Sequence, residues 1–345
     1  MMERIRQEYA LSEAKVSGFF RYRDIFQLLP APKEAPSLDS IIGHHPCLLE
    51  FSYAVRDVAE TRLNPSVPHI ESTIDYDDSQ KRRREVLLLL STFCTSRVFQ
   101  YSRSAIGSQS WFAPLGPGTD GLGKLYWGAQ TYIQGLDRVV QGFSSASVPG
   151  IPLLEKNRYF GLDLPGVFVV GQSPEVLTMP DNVSALFDCF YSLGEEAGRV
   201  FLSSCFLLQK GLELDQSAPS LAFAACVSAI ETLSSFDHRE DEIVRCHNPE
   251  CRQEIYHATR RFRELIERVN KNSPQEVGKF ANEVYKRRSK ILHRGQLTFG
   301  EIDPWTIENS IEALSESRVR KEAARFFRIS LINWLVLEAG RASGQ

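Results

Sequence analysis

Helix-length stretches with apolar residues at every third or fourth position dominate the second half of the chain. Stretch 221–233 is apolar on nearly every face, which predicts a central buried helix that Ser217 or Ser220 could cap. Further helices are predicted at 182–209, with Gly211 just past the end, and at 306–315 and 318–339. Stretches 255–270 and 274–292 each carry one apolar stripe and one charged face: Tyr256, Phe262, Leu265, Ile266 and Val269, then Val277, Phe280, Val284 and Ile291. Long helices with short connections predict a helical bundle.

The first half of the chain has a less regular pattern. Helices are predicted at 3–29, 48–60 and 84–102, although the last also suits a buried strand because β-branched residues interrupt its apolar run. Between Gly107 and Gly166 lie 11 of the 22 glycines, so loops and short strands are expected there, with strand candidates at 110–112, 124–127 and 167–170.

These patterns predict a mainly α protein with two domains. Residues 1–180 should form a mixed, mainly helical N-terminal domain containing loops and a few short strands. Residues 181–345 should form the helical domain. The length of 345 residues agrees with this division, at roughly 150 residues per domain.

The composition indicates a soluble globular protein, with 43% hydrophobic and 24% charged residues. The longest uninterrupted apolar runs fall far short of the ~18 residues that span a bilayer. Residues 1–16 are charged and have no apolar core of a secretory signal. Seven cysteines, an odd number in mostly apolar contexts, indicate reduced thiols. We therefore expect a cytoplasmic protein with no membrane partner.

Positive charge is concentrated in one part of a chain whose net charge is −3. Residues 252–294 contain 12 Lys or Arg and 5 Glu, a difference of +7. A local basic face on an otherwise acidic protein is typical of proteins that bind a phosphate backbone.

The end of this basic stretch carries a candidate catalytic motif. Residues 285–295 have the sequence YKRRSKILHRG, in which Arg288 is followed by His293 and then by Gly295, the expected helix end. A histidine titrates near neutral pH and can serve as general acid or base. A guanidinium offers a planar fork to phosphate oxygens. Together they have the chemistry needed to cleave RNA without a metal.

Residues 185–340 resemble the HEPN superfamily, in particular its ApeA-like branch. The resemblance rests on the helix that contains Ala229–Leu233, on the helix at 260–269 and on the motif at 285–295. It implies a bundle of four or five helices, usually dimeric. Many members are metal-independent endoribonucleases in which the Arg-x(4–6)-His motif meets its copy across the dimer interface.

Carried over by position, the resemblance makes Arg288 and His293 the motif residues, with Glu283 as the preceding acidic residue, paired with Arg287. The chain departs from the family at Ser289, where many active members have Asn, Asp or His. The residues expected to hold RNA are Lys286, Arg287, Lys290 and Arg294.

Helix geometry restricts how Arg288 and His293 could act together. A step of five residues turns an α-helix by about 500°, which leaves the two side chains about 140° apart. Either the helix ends between them, or the long arginine side chain curves around, or a second chain supplies one of them. The spacing favours a composite site in a homodimer.

Two other patterns suggest ligands less strongly. Cys246, His247, Cys251 and His257 could hold zinc, but four residues separate the cysteines and no second pair follows, so a loop with free thiols is favoured. The sequence Gly118-x(4)-Gly123-Lys124 approaches a phosphate-binding loop, but Leu125 stands where Ser or Thr must hold magnesium. We expect no cofactor, with zinc as the open alternative.

The sequence thus predicts a metal-independent endoribonuclease, acting as a homodimer on RNA, of the kind used in toxin or anti-phage defence systems. The N-terminal domain would sense a trigger or select the RNA. The alternative is a non-catalytic HEPN module that binds nucleic acid, a nucleotide or a partner protein.

Overall fold

The computed structural model describes residues 2–31, 45–57, 59, 61, 70–94, 96–99, 138–144, 156–157, 175–215, 217–239, 257–270, 274–298, 301 and 310–343. Of these residues, 63% are helical, which confirms a mainly α protein. The described residues up to Ser184 form one compact unit and those from Ala185 onward form a second.

The first unit is built on an antiparallel sheet of six strands. They are β1 (Met2–Ser12), β2 (Phe20–Tyr22), β3 (Phe26–Pro30), β4 (His45–Val55), β5 (Val98–Phe99) and β6 (Arg138–Val140). The order is β2-β3-β4-β1-β5, and β6 also pairs with β1. A short parallel pair joins β7 (Lys156–Asn157) to β8 (Met179–Pro180). Helix α1 (Ile70–Phe93) packs against β4.

The helices predicted at 3–29 and 48–60 are wrong, because both stretches form strands of this sheet. The charged residues of β1 alternate along the strand, and charges on α1 pair with them. Arg4 donates to Asp75 at 2.7 Å, and Glu8 accepts a hydrogen bond from Arg83. These alternating charges are thus paired within the unit. The N-terminal domain is therefore a sheet with one long described helix, rather than mainly helical.

The stretch 84–102 divides between two elements. Its first part belongs to α1, which begins earlier, at Ile70, and ends at Phe93, and its later part contains β5. The predicted strands at 110–112, 124–127 and 167–170 lie outside the described residues.

The second unit is a bundle of helices with α4 at its centre. The helices are α2 (Val183–Ser192), α3 (Glu195–Leu214), α4 (Pro219–Asp237), α5 (Ala258–Val269), α6 (Pro274–Arg294) and α7 (Ser310–Ser343). Helix α4 packs against α3, α5, α6 and α7, which confirms the predicted buried helix at 221–233. Within the described residues, α4 is the one helix long and apolar enough to cross a membrane, but 61% of its 18-residue apolar window is buried, as in the core helix of a soluble protein.

Three details of the bundle differ from the predictions. The stretch 182–209 forms two helices, separated at Gly194, and the second continues through Gly211 to Leu214. The last two predicted helices join into α7. Neither predicted serine caps α4. Ala218 precedes its first residue, Pro219, and Ser220 donates from both its backbone N–H and its hydroxyl to Glu301.

Gly211 allows α3 and α4 to approach closely. A Cβ at this position would lie 2.3 Å from Cys226 Sγ and 2.8 Å from the Ala222 carbonyl oxygen. The glycine that marked a helix end in the sequence is instead required inside the helix, at its contact with α4.

We predict that replacing Trp334, in the second half of α7, will destabilise the second unit. Its buried ring lies 6.1 Å from the ring of Phe201, nearly parallel to it, and 5.9 Å from Phe236, and its indole N–H donates to Asp237 at 3.2 Å. Trp334→Ala should reduce the free energy of unfolding by about 3–5 kcal/mol, measured by urea unfolding followed by circular dichroism.

The matched control is Leu221→Ala on α4, since Leu221 is 55% exposed. This variant should change the free energy of unfolding by less than about 0.5 kcal/mol. Equal losses in the two variants would contradict the assignment of Trp334 to the core.

Candidate functional site

Helix α6 carries the predicted motif, and its two ends follow from its sequence. It begins at Pro274. Proline is favoured in the first turn because a backbone N–H there would have no acceptor within the helix, so its absence costs nothing. It ends before Gly295, whose φ of +62° lies in the left-handed region. The Gly295 N–H donates to the Ile291 carbonyl oxygen at 3.2 Å, which closes the last turn. The predicted helix end at Gly295 is confirmed.

Apolar contacts fix which side of α6 faces the bundle. Ala281, Val284 and Ile291 are buried on this side. The Tyr285 ring lies 5.2 Å from the Phe262 ring of α5. Because these residues face inward, the opposite side of α6 faces solvent.

The outward side of α6 carries a row of basic side chains. Lys286, Lys290, His293 and Arg294 are all exposed, and at 100° per residue they fall within an arc of about 100°. We call these four residues the α6 basic stripe. His293 and Arg294 lie in the last turn, where the negative end of the helix dipole stabilises positive charge.

Arg288 lies on a different side of α6 and is held in the bundle. Its Nη2 donates to Glu231 Oε2 of α4 at 3.0 Å, and its side chain is 18% exposed against 21% for Glu231. Its guanidinium lies 5.7 Å from the centre of the Tyr285 ring. Its Nε is buried and has no hydrogen-bond partner within the described residues. The Glu231 oxygen thus accepts one hydrogen bond from a guanidinium that has five N–H donors, and other donors remain available.

Tyr285 and Glu231 complete this buried network. Burial raises the pKa of the Tyr285 phenol, and the negative charge of Glu231, together with a hydrogen bond to it, raises that pKa further. Sequence analysis assigned Glu231 no role. The signal was present, because Glu231 is the one charged residue in the apolar stretch 221–233, and a charge on a buried helix requires a partner.

Arg287 anchors α6 to α7. It forms an ion pair with Glu316, and its guanidinium lies 5.7 Å from the centre of the Phe223 ring of α4. The pair expected between Glu283 and Arg287 is therefore wrong. Glu283 is exposed and has no ion pair within the described residues.

A surface pocket of about 390 Å³ lies beside the α6 basic stripe. Residues of α6, the segment after it and Glu316 line the pocket: Glu283, Lys286, Arg287, Lys290, Ile291, Gln296, Leu297, Thr298 and Glu316. The segment after α6 is tied to the start of α4, because Glu301 accepts hydrogen bonds from Thr298 and Ser220. The volume lies within the range typical of small-ligand pockets.

Ion pairs with carboxylates outside the basic stretch, Asp237, Glu316 and Glu231, lower the excess of +7 counted in the sequence by three. Five arginines of the basic stretch have acidic partners: Arg260 with Glu264, Arg263 with Glu267, Arg268 with Asp237, Arg287 with Glu316 and Arg288 with Glu231. Lys279 and the cations of the α6 basic stripe, Lys286, Lys290 and Arg294, have no ion pair within the described residues. The charge available to a ligand is therefore concentrated on α6.

The motif residues Arg288 and His293 do not converge within one chain. Helix α6 continues through both positions, so the helix does not end between them. At about 140° apart, the guanidinium faces α4 and the imidazole faces solvent.

The zinc alternative falls mainly on residues outside the described part of the chain. Cys246, His247 and Cys251 lie there, and His257 directly precedes α5. Within the described residues, no group of three His, Cys, Asp or Glu side chains could hold a metal ion.

The chain matches no protein-family model, no curated protein and no solved structure.

We predict that Arg288 and Glu231 stabilise the bundle as a coupled pair. Glu231→Gln or Arg288→Gln alone leaves a half-buried charge without its partner and should lower the free energy of unfolding by about 1–3 kcal/mol. In the double variant the loss should be smaller than the sum of the single losses. Urea unfolding of the four proteins gives this coupling energy.

The exposed pair Lys210 and Glu213 on α3 provides the matched cycle, since water screens both side chains. Its coupling should stay below about 1 kcal/mol. A coupling for Arg288 and Glu231 no larger than this value would show that the buried pair does not hold α6 in place.

Proposed function

We propose that the chain is a metal-independent endoribonuclease of the HEPN type that acts as a homodimer. The observation that carries the proposal is the α6 basic stripe, in which the exposed imidazole of His293 lies on the same side of one helix as three cations that form no ion pair with any described residue. The resemblance of residues 185–340 to the HEPN superfamily, which rests on the same helix, supports it.

The proposed chemistry uses one imidazole and one guanidinium. His293 removes the proton from a ribose 2′-hydroxyl, and the resulting oxygen attacks the adjacent phosphorus. The bond to the 5′-oxygen breaks, and this oxygen leaves with a proton supplied by an imidazolium. Arg288 stabilises the negative charge of the phosphorane through N–H donors that Glu231 does not occupy. The products are a 2′,3′-cyclic phosphate and a 5′-hydroxyl.

A second protomer completes the site in this proposal. Because Arg288 and His293 of one chain face different directions, the proposal requires the imidazole of a second copy to reach the exposed part of the Arg288 guanidinium beside α4, a side chain that is 18% exposed. Glu231 and Tyr285 hold the Arg288 guanidinium for this contact. Arg287 fixes α6 to α7 through its ion pair with Glu316.

The α6 basic stripe holds the RNA backbone. A rise of 1.5 Å per residue places Lys286 and Arg294 about 12 Å apart along the helix, with Lys290 between them. The adjacent pocket, with Ile291 and Leu297 in its lining, offers space for a nucleotide beside these cations. In the proposal the enzyme acts in the cytoplasm as a toxin or in anti-phage defence, and the first unit senses the trigger or selects the RNA.

The second candidate function is a non-catalytic module that binds nucleic acid, a nucleotide or a partner protein through the same stripe. The ion pair between Arg288 and Glu231 favours it, because a guanidinium held by a carboxylate is less available to a phosphate. Ser289, in a position where many active HEPN members have Asn, Asp or His, points the same way.

We predict that the purified protein cleaves labelled RNA in the presence of EDTA and leaves cyclic-phosphate ends. His293→Ala should lower the cleavage rate about 10²–10⁴-fold, since general acid–base catalysis contributes this much. The control is His238→Gln, which removes an imidazole that bonds to Ser234 and Glu264 away from the stripe. Binding of RNA without cleavage would favour the second function, and unchanged cleavage by His293→Ala would exclude His293 as the catalytic group.

We also predict that RNA affinity depends on salt through Lys286 and Lys290. Each substitution to glutamine should weaken binding and reduce the slope of log K against log salt by about 0.7, the value for one contact with a single strand. Fluorescence anisotropy at several salt concentrations measures both quantities. Lys210→Gln, which removes an exposed charge from α3, should leave the slope unchanged. An equal change in all three variants would place RNA elsewhere.

A further inference from the structure

The pocket beside the α6 basic stripe is lined by charges of both signs. Two lysines of the stripe, Lys286 and Lys290, line it together with the carboxylates of Glu283 and Glu316. Arg287 pairs with Glu316, so the charges of these two side chains largely cancel. Glu283 and the two lysines form no ion pair with any described residue. A ligand that uses all three groups therefore needs an anionic part and a part that donates hydrogen bonds.

The segment after α6 forms another side of this pocket and is held in place. Gly295, with a φ of +62°, turns the chain, and the Gln296 N–H then donates to a carbonyl oxygen of α6 at 3.3 Å. Thr298 is 4% exposed, and its N–H donates to the Ser220 hydroxyl at 2.7 Å. Between these fixed points, Gln296 and Leu297 line the pocket with an amide and an apolar side chain.

Apolar side chains give the pocket a surface suited to a flat ring. Ile291 and Leu297 both line it, and Leu297 is 44% exposed. Ligand pockets typically combine such apolar contacts with a few polar groups that fix the orientation of the ligand. Unstacked RNA bases have the matching form, an apolar face and a polar edge. The pocket thus has contacts for both parts of a nucleobase.

We propose that this pocket binds a guanine base of the RNA, with Glu283 as the specificity-determining residue. The inference deepens the proposed function and rests on it, because the RNA backbone held by Lys286 and Lys290 brings the base to the pocket. Glu283 accepts hydrogen bonds from the edge of the base. Gln296 supplies an amide for the base oxygen, and Leu297 packs on the ring.

The preference for guanine follows from the donors on the Watson–Crick edge of each base, which is open in single-stranded RNA. Guanine has two adjacent donors, N1–H and N2–H, which match the two oxygens of one carboxylate. Adenine and cytosine each have one amino donor beside an unprotonated ring nitrogen that repels a carboxylate. Uracil has one N–H between two carbonyl oxygens. Glu283 therefore pairs well with guanine and poorly with the other three bases.

The order of charges along α6 agrees with the order of groups in a nucleotide. Glu283 lies about 4.5 Å before Lys286 and about 10.5 Å before Lys290 along the helix axis. At 100° per residue, the three positions fall within an arc of about 60°. The carboxylate is thus at one end of the row and the cations follow it, as the base of a nucleotide is followed by its phosphates.

The first test is binding of GMP, AMP, CMP and UMP to the full chain in EDTA, measured by isothermal titration calorimetry. GMP should bind at least about fivefold more tightly than the other three, the minimum for a bidentate contact with a base. Glu283→Gln replaces one acceptor oxygen by a donor, so the preference for GMP should vanish without weaker binding of AMP. The matched control is Glu196→Gln, which changes an exposed carboxylate on α3 and should keep the preference.

The second test keeps the RNA backbone in place. Fluorescence anisotropy compares a short oligoadenylate with the same oligonucleotide carrying one central guanine. The guanine should tighten binding several-fold in the unchanged protein and in Glu196→Gln, but not in Glu283→Gln. Equal affinity for the two oligonucleotides, or a guanine preference that survives Glu283→Gln, would overturn the proposal.

Cleavage of the same oligonucleotides separates this inference from the proposed function. A guanine preference that requires Glu283 in a protein that cuts no RNA would support the pocket and exclude the ribonuclease. Cleavage with equal affinity for the two oligonucleotides would support the ribonuclease and exclude the guanine pocket.

Discussion

The rotation of α6 about its own axis is the constraint on which the candidate site depends. Val284, Tyr285 and Ile291 turn one side of the helix into the bundle, and the ion pairs of Arg287 and Arg288 fix it to α7 and α4. With that side fixed, the helical rotation of 100° per residue places the α6 basic stripe on the opposite side, which faces solvent. A shift of one residue in this contact would bury lysines and expose the apolar side. The exposure of the basic stripe therefore depends on the packing of the opposite side of α6.

The sequence was informative where one periodic pattern extended over several turns. Helix α6 could be predicted almost to the residue, because its apolar stripe, its initial proline and Gly295 all indicated the same element. Strand β1 was predicted as a helix although Arg4, Arg6 and Glu8 alternate with the period of a strand. Only the fold shows that Asp75 and Arg83 of α1 pair with this strand.

The candidate site shows the same division between local and distant information. The motif, its helix end and the exposed cations follow from a contiguous stretch of residues, which local pattern describes well. The partners of its arginines do not, since Glu231 lies 57 residues before Arg288 and Glu316 lies 29 residues after Arg287. Counting charges in the sequence therefore overstated the free positive charge, since Arg268, Arg287 and Arg288 pair with carboxylates outside the basic stretch.

The pairing of Arg288 with Glu231 bears directly on the choice between the two proposed functions. A guanidinium held at one nitrogen loses little of its donor capacity and gains a fixed orientation, which a catalytic group needs before substrate binds. The same carboxylate also reduces the net charge that a phosphate would meet. The decisive quantity is then how far a second protomer desolvates the pair. Near a scissile phosphate, an arginine oriented by Glu231 would supply a fixed positive charge. An imidazole from the other chain would supply the group that transfers the proton. In an isolated protomer neither group reaches the other, and the stripe can only bind.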